Sequence, residues 1–294
     1  VLLIVAGWTA CAPAEDAAPE SDDAEVVEFT ASDYAFQGLP DTLPSGWTTF
    51  RMENAGREVH FVVFDRLPDR KTSEDFLREV AAPFDSVWYR LRDGEIDREQ
   101  ALTLLGEKLP EWYGAVRRWG GTGLVAPGRT ARTTIDLEPG AYMMECYVKT
   151  ADGEFHVSVG MWHELTVTED STGRAPPDAD IEMAVSGQAI EAPDTLPAGR
   201  HTFAARFGER PPGSLGGDAN LVRLDGGASL EDDIVPWMDW INLEGLGAPA
   251  PAEFLGGTQE MPAGRTSYFT VDLEPGSYAW VSEPPVQVKR FTVR

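Results

Sequence analysis

The sequence predicts a mainly β chain of two tandem domains, the first interrupted by a helical insertion. Three observations carry this. Apolar and polar residues alternate over short runs punctuated by Gly, Pro and Asp, as in half-buried strands joined by turns. Two stretches recur in the same order: 41–50 (DTLPSGWTTF) matches 194–203 (DTLPAGRHTF), and 120–142 matches 256–278 without a gap. Between the halves of the first copy, over 71–119, apolar residues instead recur at helical spacing. With 294 residues the chain has room for two ordinary domains.

Taken in order, residues 1–10 are apolar, too short to span a bilayer, and read as the remnant of a secretory signal. Thr9-Ala10-Cys11 resembles the bacterial lipoprotein box, with Trp8 where Leu is usual. That resemblance implies export to the cell envelope or periplasm, with lipidation at Cys11 as the only membrane attachment. An ordinary signal peptide with an incidental Cys is the alternative. Residues 11–25, acidic and rich in Ala and Pro, read as a disordered tether. The first domain covers 26–170. Within it 26–36 reads as a strand with a bend at Ala31-Ser32-Asp33, 39–46 as turn, 47–52 as a strand and 59–64 as a buried strand. The insertion reads as two or three helices broken at Asp93-Gly94, with Asp97 placed to cap the second apolar run. Strands return over 130–137 and again before Cys146. Residues 171–179 form a linker, and 180–294 the second domain, with a shorter insertion over 229–254.

The chemistry concentrates in 137–167, where one Cys, two His and a Met fall within 18 residues. Alternation runs into Cys146, with Ala141, Met143 and Glu145 on one face and Tyr142, Met144 and Cys146 on the other, so a strand ends near Cys146. Thiolate, imidazole and thioether are the donors that copper prefers. His60 supplies a second imidazole, so the candidate ligands are His60, Cys146 and His156, with Met161 as a weak axial contact. Met161 alone reads as a core residue; its place four residues past His156, after an upstream Cys, makes it a ligand candidate. His163 is a substitute ligand but reads better as a surface His beside Trp162, and His201 is no candidate.

Two arguments strengthen this set. If Cys11 is lipidated, Cys146 is the only thiol of an exported chain, and burial or metal ligation would protect it from oxidation. The repeat is also an internal control. Ser282 stands opposite Cys146 and Asn220 opposite His60, and the second copy lacks the Cys-to-Met loop. The scaffold occurs twice and the ligand set once.

Formal net charge is −25, which argues against nucleic acid as a partner. Such a charge steers basic partners, or marks a saline habitat. Four His residues without a His-x-His pair do not supply a trinuclear copper cluster, and one thiol near the site cannot bridge two copper ions. The Gly120-Gly121-Thr122-Gly123 run recurs in both copies and reads as a turn, not a phosphate loop.

Several segments resemble the cupredoxins, the plastocyanin and azurin family of blue copper proteins. These are 54–60 (NAGREVH) followed by FVVFD, then PGAY at 139–142 leading to Cys146, and HVSVGM at 156–161 before the last strand. The likeness covers 26–168 outside the insertion. It implies an antiparallel Greek-key β-sandwich in each copy, with one copper ion cycling between Cu(I) and Cu(II) in the first. It also implies one-electron transfer to a redox partner protein, for which the acidic net charge favours a basic surface, and a carrier that is not an enzyme. The departure is the loop between Cys146 and His156, short in most members and nine residues here. A turn at 149–153 (KTADG) would bring His156 back. The competing readings are a copper-handling protein and a non-redox interaction or envelope-assembly module with a vestigial metal site.

Overall fold

A computed structural model describes residues 26–210 and 217–294. The signal remnant 1–10, the tether 11–25 and Cys11 lie outside the described residues. The first copy contributes β1 (Val26–Ser32), β2 (Ala35–Gln37), β3 (Thr42–Asn54), β4 (His60–Arg66), β5 (Arg117–Val125), β6 (Thr130–Leu137), β7 (Gly140–Glu145) and β8 (Trp162–Ser171). The second contributes β9 (Ile181–Val185), β10 (Ile190–Glu191), β11 (Thr195–Leu196), β12 (Gly199–Phe207), β13 (Ala219–Arg223), β14 (Glu253–Thr258), β15 (Thr266–Leu273), β16 (Gly276–Val281) and β17 (Val288–Val293).

These strands form two sheets that each run through both copies. One is ordered β2-β1-β3-β6-β15-β12-β9-β10, the other β3-β8-β7-β4-β5-β14-β13-β16-β17-β11. Alternation along the strands sends one row of side chains between the sheets, where Phe50 meets Phe64 at 4.7 Å and Phe203 stacks on Phe269 at 5.0 Å.

Two local expectations are corrected. Residues 39–46 are mostly strand rather than turn. Thr42–Pro44 pair in parallel with β8, the register slips between Pro44 and Ser45, and the strand then crosses to the other sheet beside β6. Pro44 has no N–H to give to a ladder, and Gly46 takes φ +104°, so the turn-like composition marks a sheet-switching bend. The Gly120–Gly123 run likewise lies inside β5. Gly121 sits at φ +135°, where a Cβ would lie 1.9 Å from the Val62 carbonyl oxygen, and Gly257 repeats this 2.0 Å from the Ala219 carbonyl oxygen. In each copy the glycines permit a bulge that presses two strands together. In the first copy that bulge shifts the β4–β5 register between His60 and Val62.

The copies meet about a local two-fold axis. Thr122 pairs with Thr258 and Thr133 with Phe269, positions that are equivalent in the repeat. Arg265 adds an ion pair to Glu138 and lies over the Trp119 ring at 4.9 Å. Residues 180–294 expressed alone are therefore expected to self-associate, because β14 and β15 lose the partners that cover their edges. Sedimentation velocity checks this, and a stable monomer would count against the edge argument.

The insertion folds as helices over Ser73–Phe76, Leu77–Ala81, Ala82–Arg92 and Arg98–Lys108, then a 3-10 turn over Glu111–Ala115. Asp97 caps the helix Arg98–Lys108 in a reciprocal pair with Gln100. Phe76, Val80, Val87, Trp88 and Leu91 bury against Met143, Phe155 and Val157 of the first copy and Ile241 of the second. Leu102, although at helical spacing, is exposed. Arg98 reaches Asp239 of the second copy at 2.6 Å, so the insertion bridges both.

Candidate metal centre

His60 opens β4, held there by Asn54. The Asn54 amide donates to the Glu58 and Val125 carbonyls at 2.8 and 2.7 Å, and its oxygen accepts the Gly56 N–H at 2.9 Å. This pins the NAGREVH turn against the end of β5. Cys146 follows β7 directly, its N–H reaching the Met161 carbonyl at 3.3 Å. After Cys146 the chain turns back through Lys149, which bridges to Phe155, and the His156 N–H then bonds the Val148 carbonyl at 2.8 Å.

His60, Cys146 and His156 converge, with their ligand atoms all within 4.8 Å of one another and all three side chains buried. The two Nδ1 atoms are 3.2 Å apart, and Cys146 Sγ lies 3.5 Å from His156 Nδ1. Met161 is buried and bonded through its backbone to both Cys146 and His156. His163 points elsewhere, to the Pro40 carbonyl at 3.1 Å, and His201 is tied to Asp180 and the Pro197 carbonyl.

The outward nitrogens carry residues that sequence reading missed. His60 Nε2 meets Asp33 Oδ1 at 2.8 Å and His156 Nε2 meets Glu58 Oε2 at 2.9 Å. Gly56 makes room for the first pair: a Cβ there would lie 2.3 Å from Asp33 Oδ1 and 2.7 Å from His60 Nε2. When each Nε2–H is donated to its carboxylate, both Nδ1 atoms turn lone pairs inward with no proton between them. Those nitrogens and the sulfur then form a buried set of acceptors facing one another, which a single metal cation satisfies. Such a group can hold one copper ion.

Burial sets the protonation states. Desolvation, with His60 adding to it, lowers His156 to about 3, and burial lowers His60 despite Asp33. Both imidazoles are therefore neutral, the form that ligates metals. Burial pushes the Cys146 thiol up to about 12 without metal. Against the cost of its own burial, the Arg57 N–H and the His60 imidazole hold Asp33 below its ordinary value.

The nine-residue loop is braced from outside the first sandwich. Lys149 is fully buried and donates to the Trp240 and Asn242 carbonyls of the second copy at 3.1 and 2.9 Å. Its Nζ also lies 3.9 Å from the centre of the Trp88 ring. Trp88 in turn donates its indole N–H to the Gly153 carbonyl at 2.7 Å. Lys149 reads in sequence as a polar hairpin residue, and nothing local marks it as buried.

In the second copy the equivalent place is a hydrogen-bonded polar plug. The Asn220 amide bonds Asp218 and its oxygen accepts the Leu124 N–H at 2.8 Å, while Ser282 Oγ accepts the Gln287 N–H at 2.9 Å.

No family model and no curated protein matches the sequence. Solved structures do match. Reduced auracyanin from Roseiflexus castenholzii is 21% identical over 49% of this chain and 98% of its own, with a TM-score of 0.30. A multicopper oxidase is 12% identical over 92% of this chain and 88% of its own, with a TM-score of 0.25. A Cu-containing nitrite reductase from Thermus scotoductus is 12% identical over 92% and 61%, with a TM-score of 0.24. Each copy contributes strands to both sheets, the mainly β sandwich architecture expected from the sequence. One expectation is corrected here: the oxidase and the reductase are enzymes, so the reading of this chain as a non-enzyme does not stand.

Proposed function

We propose that this chain holds one copper ion through His60, Cys146, His156 and Met161 and passes single electrons through it. The observation that carries the reading is the buried convergence of two Nδ1 lone pairs and one sulfur, with both Nε2 atoms occupied by carboxylates. Copper bound to such donors supplies one-electron exchange between Cu(I) and Cu(II). The chain's own residues do the rest. Asp33 and Glu58 orient the rings, Asn54 and Lys149 fix the two segments that carry them, and complete burial excludes water. Little then has to move when the charge on the site changes.

The redox partner in this reading is a protein of basic surface, drawn by the partly exposed Asp33 and Glu58 and by a formal net charge of −25. The site's place is an exported chain held to the envelope by lipid on Cys11, a reading that rests on Thr9-Ala10-Cys11. Among the described residues no helix is long and apolar enough to cross a membrane.

Titration of the reduced protein with Cu(II), followed by absorption, tests the proposal. One equivalent is expected to produce an intense visible thiolate-to-copper band. Binding without that band would overturn the reading. Asp33→Asn and Glu58→Gln keep the shape of each side chain but lose its charge. Each is expected to weaken copper binding by about 10- to 100-fold while the fold is retained. Competition with a chelator of known affinity measures this, and unchanged affinity would show that the carboxylates do not support the ligands.

Lys149→Met removes the donors that hold the loop to the second copy. It is expected to increase amide hydrogen exchange over 147–155 in the metal-free protein. Unchanged protection there would show that the loop is held by its own turn.

A further inference from the structure

A cavity of about 710 Å³ lies between the helical insertion, the outer face of the β4–β5–β7 sheet and the second copy. It is separate from the metal centre. Along the backbone Glu145 and Tyr147 line the cavity, while Cys146 between them faces His60 and His156. The floor is unusual in its acids. Four carboxyl groups, Asp65 and Glu145 from the first copy and Asp218 and Glu283 from the second, are each at most 4% exposed.

Only part of this floor is balanced. Arg118 donates to the Tyr147 hydroxyl at 3.2 Å, and that hydroxyl donates to Glu283 at 3.0 Å. Asp218 accepts the Glu283 N–H at 2.8 Å and an Asn220 amide hydrogen. Asp65 and Glu145 hydrogen-bond each other within reach of the Arg118 charge, and Asp65 Oδ2 has no further donor. The amide nitrogen of Gln259, a residue 1% exposed, likewise has no acceptor. At the edge Arg210 pairs with Glu260 through Nη2 but leaves Nη1 buried without an acceptor, and Arg117 is taken by the Gly114 and Val116 carbonyls. The four buried acids therefore outnumber the two half-buried cations, Arg118 and Arg210, and orphaned polar atoms line the same space.

The remaining wall is aromatic. Phe84 sits 6.3 Å from Tyr113 and 5.9 Å from Trp240, centre to centre. Ring faces and carboxylates both favour positive charge, and flat apolar walls favour a hydrocarbon body.

We infer that this cavity binds a small organic cation, an amine or guanidinium whose charged head meets Asp65 and Glu145 and whose body lies among Phe84, Tyr113 and Trp240. An anion is disfavoured by the same floor. A neutral apolar molecule would leave the orphaned Asp65 oxygen unpaired.

The test uses the full chain without added metal. 2-Phenylethylamine and agmatine are titrated against the neutral isostere 2-phenylethanol and the anion 3-phenylpropionate, by calorimetry and tryptophan fluorescence. Saturable binding of at least one cation is expected, with the alcohol and the acid at least about tenfold weaker. Asp65→Asn is expected to weaken the cation by at least about tenfold and leave the alcohol unchanged. Should Asp65→Asn melt early, Glu145→Gln serves as the second variant with the same expectation. Equal binding of amine and alcohol would show an apolar pocket only and overturn the inference. So would the absence of saturation by either cation, or undiminished affinity in the folded variants.

Discussion

Cys146→Ser is expected to remove the visible band of the copper-loaded protein completely and to cost more than about 100-fold in copper affinity. That figure is the upper end for losing a supporting contact, and here a direct ligand is lost. The band requires a thiolate donor, and this side chain's Sγ is the only sulfur in the His–Cys–His group, 3.5 Å from His156 Nδ1. The substitution is also well tolerated on structural grounds. Ser282 occupies the equivalent position of the second copy, is buried, and finds partners there in the Glu283 carbonyl and the Gln287 N–H. Thermal unfolding of metal-free variant and parent is therefore expected to differ little, so loss of the band will report chemistry and not misfolding. A variant that keeps the band, or that binds copper as tightly as the parent, would remove Cys146 from the ligand set.

Gly121→Ala is expected to be strongly destabilising, at about 3 kcal/mol or more. Two costs combine. The backbone there has φ +135°, which side chains rarely adopt, and the new Cβ would lie 1.9 Å from a backbone oxygen of β4. Neither strand can withdraw cheaply, because β5 is paired on one side with β4 and on the other with β14. The comparison is Gly128→Ala, at φ +74° with nothing within 4 Å, where only the conformational cost of about 1 kcal/mol applies. Urea unfolding of the two variants separates the terms. Equal midpoints would mean that the bulge relaxes, and that the register presenting His60 does not depend on it.

The two-copy organisation was legible because a duplication leaves matching turns at matching intervals, and 41–50 against 194–203 is such a match. The convergence of His60, Cys146 and His156 was legible for a different reason. Thiol and imidazole are scarce residues, and the second copy has no counterpart of this set. Strand faces followed from alternation, down to Cys146 and Glu145 pointing opposite ways.

Periodicity reports which face of a segment is buried, but not which distant element covers it. Asp33 and Glu58 are ordinary turn acids in sequence; only the folded chain brings them to the outer nitrogens of His60 and His156. The same limit hid the role of the second copy. Without ligands of its own, it supplies the Trp240 and Asn242 carbonyls that hold Lys149, and so braces the loop between Cys146 and His156. A buried ammonium is stable only when acceptors already fixed in space replace its water. Those acceptors lie some ninety residues away in the chain, so tertiary structure alone decided that this long loop would close on the metal centre.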